Sequence, residues 1–578
     1  MNVSGDEYSR ENVTGTYAFE DDYVDQLPTL PVPVFGMEQI PSQLNVRLTN
    51  ENAHRHGYGT QDSLPFYDMQ TWYLPVVHAK HIPRAKIDVQ AAGASDVDSY
   101  ILLIRNLVKS SGVYALSAIA GPLISLALAP FLTHSLSPTD YGILTILSTA
   151  ISLGAGITQM GLATAFFRAY NYDYTSPGDR RYVLATTTLL LCLISIPVAI
   201  GAAIGSSYLA DLLLGSSVPG SLIVIAAGVL VVQNLSVPGF AWLRAESRAL
   251  FYSLLSVSNV LITLIANLVL VGVFHWGITG SLIAMGLGYS GTVLCTMPFI
   301  LLHAGARIRI DIARSMLSFG APLVLNVISY WVLQVLDRYL LSRFGSLAQT
   351  AMYAVVYTLG SALSVVVIAP FTLAWPTAMF AIAKRDDASQ AFRLLFRWLC
   401  IVLLFSAFGL SLAGQVLLDW LFPPAYHAEA LIIPVVAVSI AFYGVYFIFM
   451  IGANITRKTW LGGVFVTIAA IVNTALNLVL IPQDGAMGAA LATLVAYAVL
   501  AAIAYVVNQR IYPIPFEIDI FIAALLVGAV LYLGSEFLVG FRVTESSLGI
   551  FAIAVGLYTG ILILLGKLPY RHVPGRNG

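Results

Sequence analysis

The sequence predicts an all-α polytopic membrane protein of about fourteen transmembrane helices, built as two six-helix lobes in parallel repeat followed by two C-terminal helices. Three observations carry this: the composition, the spacing of the apolar runs, and a phrase that occurs twice. Of 578 residues, 58% are hydrophobic and only 10% charged, with a mean hydropathy of +0.82. A soluble domain carries about 25% charged residues, so the bulk of this chain belongs in lipid. The net charge of −1 conceals two parts. Residues 1–100 hold 14 acids against 6 bases, and the remainder 16 acids against 23 bases. An acidic tail precedes a basic membrane body.

The tail, taken as 1–104, has seven prolines in its first 100 residues, scattered acids and tyrosines, and no sustained helical or strand period. It is expected to be disordered, because it offers too little apolar surface to offset the entropy of ordering. No basic-then-apolar leader precedes the first long apolar run near Ser110, so no secretory signal is expected. Apolar runs of about 20 residues then follow one another. They centre near residues 121, 153, 195, 229, 262, 289, 329, 361, 405, 441, 470, 496, 528 and 556. Lipid supplies no partner for stray backbone groups, so each run is expected to be a helix. Proline at 122, 130, 197, 238, 298, 322, 370 and 434 predicts kinks within them.

The first break between runs reads Leu-Ser-Pro-Thr-Asp-Tyr-Gly (136–142). Ser137 suits a helix cap, Pro138 the first helical position and Asp140 the positive end of the helix dipole. A tight turn between two helices is expected there. Basic residues give the orientation. Loops after even-numbered spans carry fifteen: Arg168, Arg180, Arg181, Arg244, Arg248, Arg307, Arg309, Arg314, Lys384, Arg385, Arg393, Arg397, Arg457, Lys458 and Arg510. Loops after odd-numbered spans carry only Arg338, Arg343 and Arg542. The positive-inside rule then makes the even loops and both termini cytoplasmic, and the outer loops are all short.

The repeat is explicit in NLVLVGVFHWGITGSLIAMGLGY (267–289) and NLVLIPQDGAMGAALATLVAY (477–497). Each reads Asn-Leu-Val-Leu, a turn, then Gly-x-x-Gly opening the next span, at an offset near 209. Arg105 and Arg314 stand at the same offset before the first span of each half. Two copies of a six-span unit enter the membrane from the same side, so the lobes are related by an axis along the membrane normal. We take residues 105–309 as the N-lobe, 310–512 as the C-lobe, and 513–578 as the last two spans with a cytoplasmic C-terminus. The repeated glycines 277, 280, 485 and 488 are read as close-packing points between helices.

The phrases FLTHSLSPTDYG (131–142), GLATAFFRAY (161–170), LDRYLLSRFGSLAQTAMYAVVYTLG (336–360), FPPAYHAEALIIPVVAVSIAFYGVYFI (422–448) and ALNLVLIPQDGAMGAALATLVAYAV (475–499) resemble, in this order, the polysaccharide flippases. These belong to the superfamily that also contains multidrug and toxin extrusion antiporters and lipid II flippases. The resemblance covers about residues 105–510. It implies a two-lobed exporter of polyprenyl-diphosphate-linked oligosaccharide, working by alternating access in the cytoplasmic membrane for surface polysaccharide synthesis. Two departures stand out. The tail is longer than the family's usual few residues, and the first span carries no Asp or Glu, where proton-coupled drug exporters of the superfamily often have one.

Ionisable residues within spans are expensive and are functional candidates by default. Arg338, beside Asp337 near the outer third of span seven, is the clearest: a guanidinium grips phosphate oxygens in pairs, as an ammonium does not. The corresponding position of the first half, near Leu126–Leu128, is apolar. The alternative is that Asp337 and Arg338 only pair with neighbours. Arg168, closing span two, is a second candidate for the diphosphate, its alternative being an ordinary positive-inside anchor. Asn326, Tyr330 and Gln334 recur every four residues beside Trp331, and one helix face of amides and phenol suits sugar hydroxyls, or interhelical hydrogen bonds. Gln159, Asn234, Asn259, Asn267, Asn473 and Asn477 are weaker candidates, and Glu536 is a candidate proton carrier outside the repeat.

No Ser/His/Asp grouping, metal-ligand spacing or GxxxxGK[ST] loop is present, so an enzyme, a cofactor and direct use of ATP are not expected. Cys192, Cys295 and Cys400 sit in apolar runs as small hydrophobes. The expected partners are the lipid-linked sugar and membrane lipid, with no nucleic acid; the tail is a candidate docking segment for cytoplasmic glycan-synthesis enzymes. An ion-coupled multidrug antiporter is the same-fold alternative and calls for an acid inside the lobes. A membrane sugar polymerase or ligase calls for large outer loops bearing catalytic groups, and these loops are too short.

Overall fold

The computed structural model describes residues 126–539, apart from 216, 217 and 306, and residues 545–566. The tail assigned to 1–104, most of the first span and residues 567–578 lie outside the described residues. All regular structure described is helical. Helix α1 is seen over 126–135. It is followed by α2 (Pro138–Thr158), α3 (Leu162–Arg168), α4 (Pro177–Ile204), α5 (Ser206–Leu214), α6 (Ser221–Ala245), α7 (Ala249–Asn267) and α8 (Gly277–Ala304). Then come α9 (Ile310–Phe344), α10 (Leu347–Gly360), α11 (Ala369–Ile382), α12 (Ala388–Leu421), α13 (Ile432–Phe449), α14 (Ile451–Ile455), α15 (Trp460–Ile511), α16 (Ile518–Val539) and α17 (Glu545–Gly566).

Among the described residues, eleven helices, counted through short irregular turns, are long and apolar enough to cross a membrane. One of them, α15, contains two of the expected spans. The last two-helix unit ends in α17, whose apolar stretch Gly549–Leu565 is shorter. Thirteen of the fourteen apolar runs therefore fall on helix among the described residues; of the first, centred near 121, only the end from 126 is described, and it is helical. The protein is an all-α, multi-pass membrane protein.

The turn at Ser137 forms as its residues dictate. Ser137 Oγ accepts the Asp140 amide at 3.2 Å, and Pro138 takes the first helical position of α2. Ser346, at the repeat offset of 209, does the same for α10, accepting from the Gln349 amide at 3.1 Å. Pro197, Pro238, Pro298 and Pro322 lie inside helices, as expected of membrane spans.

The repeated phrase folds into the same hairpin twice. A straight 52-residue α15 would measure about 78 Å, far beyond a bilayer core of about 30 Å. Gly485 breaks it, with φ 56° and ψ −127°. Gly277 has the same φ of 56° between α7 and α8. Glycine reaches this left-handed region at little steric cost. Three residues on, a Cβ on Gly488 would overlap the carbonyl of Leu480, and one on Gly280 would sit 3.2 Å from Leu270 backbone. The glycines are where helix meets helix, and they carry packing.

The arginine-poor linkers hold more structure than their brevity suggests. Helix α5 fills part of the link from α4 to α6, and a 3-10 turn, Pro424–Glu429, fills the link from α12 to α13. Helix α13 is the most enclosed span, with 72% of its window buried, against 11% for the span starting at α7. Helices α16 and α17 attach through Phe408 of α12, whose ring lies 4.4 Å from that of Tyr558.

Candidate functional site

Helix α9 is the platform of the site. Its 35 residues span about 52 Å, so it carries candidate groups at both ends of the membrane body. Because Ser346 caps α10 at once, α10 turns back beside α9. Tyr353 and Tyr357 then come alongside Asp337 and Arg338.

Asp337 is 2% exposed. Its Oδ2 accepts the Tyr353 hydroxyl at 2.5 Å and its Oδ1 the backbone N–H of Arg338 at 2.7 Å. The carboxylate is thus occupied by its neighbours. Arg338, one position on and so rotated about 100° around the helix, places its guanidinium 4.8 Å from the centre of the Tyr357 ring. Its Nε is buried and has no hydrogen-bond partner. No carboxylate of the described residues lies within 4.0 Å of it. The rest of the first span, 101–125, contains no Asp or Glu to supply one. A guanidinium stacked on a phenol in a dry setting retains about 2 kcal/mol of attraction and keeps its donors for a ligand. Tyr141 of α2 stands within electrostatic reach from the first half.

The stripe on α9 divides. Asn326 lies against Gly463 of α15, where a Cβ would stand 3.6 Å from Asn326 Cγ. The Tyr330 hydroxyl is 3.2 Å from that of Tyr443 on α13, and the Tyr443 ring stacks 5.1 Å from Tyr497. Asn326 and Tyr330 therefore face helices of their own half. Trp331, the next residue, points across to the first half, donating to the Thr149 carbonyl at 3.3 Å. Gln334 is partly buried one turn before Arg338.

Arg168 sits at the opposite end. Its guanidinium lies 4.8 Å from the centre of the Phe319 ring on α9, with Nε 3.4 Å from Asp173 Oδ2. Phe319 and Arg338 are nineteen residues apart on α9, which is about 28 Å. One diphosphate does not bridge Arg168 and Arg338; they are separate stations. Around Arg168 the halves meet closely. A Cβ on Gly161 (φ 64°) would lie 2.7 Å from the Gly320 carbonyl, and one on Gly320 would overlap Met160 O. Arg309 joins Asp179 at 2.6 Å and also reaches Asp311, and Arg180 and Arg244 lie over Tyr170 and Phe167.

The weaker candidates serve packing. Asn234 ties three elements, accepting from Gln159 at 3.0 Å and donating to Thr158 and Ser195 at 2.7 Å each. Asn259 donates to Thr292, Asn267 to its own helix at Thr263 O, and Asn477 to Asn473. Glu536 is buried in α16, beside Tyr532.

Sequence reasoning misplaced two arginines. Arg393 and Arg397 are not loop anchors but lie in α12, buried, both on Glu517 just before α16; Arg393 Nε is 2.9 Å from Glu517 Oε1. Their spacing of four on one helix face was the available signal. Hydropathy also hides an apolar cavity of about 930 Å³ between α12, α13, α15, α16 and α17, lined by Leu404, Phe408, Phe442, Val495, Leu525 and Tyr532 among others.

The comparisons with known proteins agree with this architecture. The family model described as polysaccharide biosynthesis protein matches residues 107–380. The match spans somewhat less than half of the chain. No curated protein matches it. Among solved structures, the chain is similar to the lipid II flippase MurJ in an inward closed conformation. The TM-score is 0.63 at 14% identity, over 80% of this chain and 99% of MurJ. A Vibrio cholerae MATE transporter, VcmN, matches with a TM-score of 0.51 at 15% identity, over 72% of this chain and 98% of that one. At these identities the likeness is one of fold.

Proposed function

We propose that this protein is a flippase carrying polyprenyl-diphosphate-linked oligosaccharide from the inner to the outer leaflet of the cytoplasmic membrane, for surface polysaccharide assembly. The observation that carries the reading is Arg338: a guanidinium inside the membrane body, held on Tyr357, with a buried Nε that has no partner, and no carboxylate within 4.0 Å, among the described residues. A cation in a low-dielectric setting with no carboxylate in direct contact, Asp337 acting on it only through space, is costly, and an incoming diphosphate offsets that cost. Asp337 acts as a positioning group: bound to Tyr353 and to the Arg338 backbone N–H, it makes no direct ion pair with the guanidinium and leaves that to the ligand. The cavity beside α16 and α17 supports the same reading, since a polyprenyl chain needs an apolar groove while its head stays among polar groups.

In this mechanism the arginine-rich loops face the cytoplasm and Arg168 meets the diphosphate first. The sugar enters between the halves, and Arg338 holds the phosphates before release at the arginine-poor end. The antiporter alternative calls for a free acid in the lobes, and Asp337 is engaged by Tyr353 and the Arg338 amide.

The test is the sidedness of lipid-linked sugar in cells lacking the protein, read by an impermeant oxidant or lectin on intact spheroplasts. Wild type restores outer labelling, Arg338→Ala does not, and Arg338→Lys restores it only in part, because an ammonium does not grip two oxygens together. Outer labelling that is unchanged without the protein, in cells with no second flippase, refutes the reading.

A further inference from the structure

At the arginine-poor end each half reaches over the other through the same linker. In the second half, the 3-10 turn Pro424–Glu429 between α12 and α13 places Tyr426 against the α1–α2 turn. The Tyr426 ring stands edge-on to Tyr141, with centroids 6.0 Å apart and planes at 88°, and its hydroxyl reaches the Leu136 carbonyl at 3.5 Å. Tyr426 is 1% exposed. In the first half, the equivalent linker between α4 and α6 contains α5, whose Leu212 carbonyl receives the Tyr339 hydroxyl of α9, also at 3.5 Å. Hydrogen bonds of that length are weak, so the ring contact decides which strap holds. Among the described residues only the Tyr426 side has a buried aromatic pair; Leu212 is exposed.

Tyr141 connects this contact to the site. It faces Tyr426 on one side and stands within electrostatic reach of Arg338 on the other. The backbone closes the same mouth directly beneath: a Cβ on Gly142 would overlap the Leu347 carbonyl of α10.

We propose that the Pro424–Glu429 turn is a strap closing the arginine-poor mouth over Arg338, latched by Tyr426 on Tyr141, and that release of ligand requires this pair to part. The opposite linker at Leu212 follows it. The strap regulates the site proposed above, and naming the released species rests on that reading; closure itself does not.

The test uses the full chain in membrane vesicles, with Cys192→Ser, Cys295→Ser and a reporter Gln334→Cys one turn from Arg338. Native Cys400, 2% exposed, is kept as a report on folding. The probe is an impermeant maleimide applied to one face at a time, with no substrate. Tyr426→Ala raises reporter labelling from the arginine-poor face about five- to tenfold, as expected when one buried aromatic pair is lost. Tyr426→Phe, which retains the ring, stays within about twofold of the parent. Tyr141→Leu, which removes the partner ring from the other half, matches Tyr426→Ala, while Cys400 stays unreactive throughout. Unchanged labelling in both Tyr426→Ala and Tyr141→Leu overturns the strap, and so does Tyr426→Phe labelling as fast as Tyr426→Ala. A normal labelling pattern, together with no flipping by the unsubstituted chain in which Gln334 is kept, condemns the transport reading and leaves the strap standing.

Discussion

The halves touch at both ends of the membrane body, and by different chemistry. At the arginine-poor end the halves meet through Gly142 on Leu347 backbone and Tyr426 on Tyr141, with no ion pair between them among the described residues. At the arginine-rich end Gly161 and Gly320 cross backbone to backbone, and Arg309 reaches from the start of α9 to Asp179 in the first turn of α4. The side chains of that pair are each 37% exposed. One closure is dry and aromatic; the other is wet and charged. The difference predicts that salt screening governs one end alone.

A reference for charge comes first, because it has the largest expected effect. The Arg393–Arg397–Glu517 group is buried, unlike the Arg309 pair. Glu517→Gln should cost about 3–5 kcal/mol, since both guanidiniums would then face a neutral amide in a dry setting. Asp179→Asn should leave the unfolding temperature almost unmoved. Thermal unfolding in detergent checks both; equal shifts would mean that burial does not separate the two kinds of ion pair.

The glycine crossing can be broken directly. Gly320→Ala drives a methyl into Met160 O, and overpacking of this kind costs about 1–3 kcal/mol. Cysteine labelling near Phe319 should accelerate from the arginine-rich face only. Acceleration from both faces would show that the ends are not independent.

Salt gives a smaller and reversible effect. Raising NaCl from about 0.05 M to about 0.5 M takes the screening length from above ~10 Å to a few ångströms. Labelling from the arginine-rich face should quicken, and from the Tyr426 face should not. Equal responses at the two ends would end the contrast.

The smallest effect is on pH. Glu429, last residue of the strap, is half-buried, and burial raises its carboxyl above the ordinary glutamate range despite a hydrogen bond from Gln349. A raised folded value means that the folded strap holds its proton more tightly than the unfolded chain does. Its stability is therefore fullest below the ordinary glutamate value and declines as pH rises through the raised one. Strap opening should be slower at acidic pH, and Glu429→Gln should flatten the profile. His427 stands beside Glu429 in the strap, its Nδ1 3.0 Å from Asp419 Oδ1.

Much of this was legible in the chain. Apolar length alone gave the spans, because lipid forces each run into helix. The Asn-Leu-Val-Leu and Gly-x-x-Gly echo gave the hairpins, since only glycine fits the close contacts that Gly280 and Gly488 make. The cap at Ser137 was readable from three residues. What escaped depends on which helices become neighbours. Nothing local marks Tyr426 as the partner of Tyr141, Gly161 as the partner of Gly320, or Glu517 as the anion for Arg393 and Arg397. The stripe Asn326–Tyr330–Gln334 had the right period, but period cannot say which half its face meets. Whether Asp337 and Arg338 only pair with neighbours could not be read from the chain, and the 100° between successive helix positions sends them to different tyrosines.

The crossing of Gly161 over Gly320 also bears on speed. Glycine has no side-chain rotamers to freeze, so bringing these two backbones together loses no side-chain entropy. Nor must any buried side chain hop between wells before the helices touch. Arg309, by contrast, gives up a long side chain's freedom whenever it reaches Asp179. Shutting the arginine-rich end is then as fast as the helices themselves can swing, and the arginines around it set how long it stays shut.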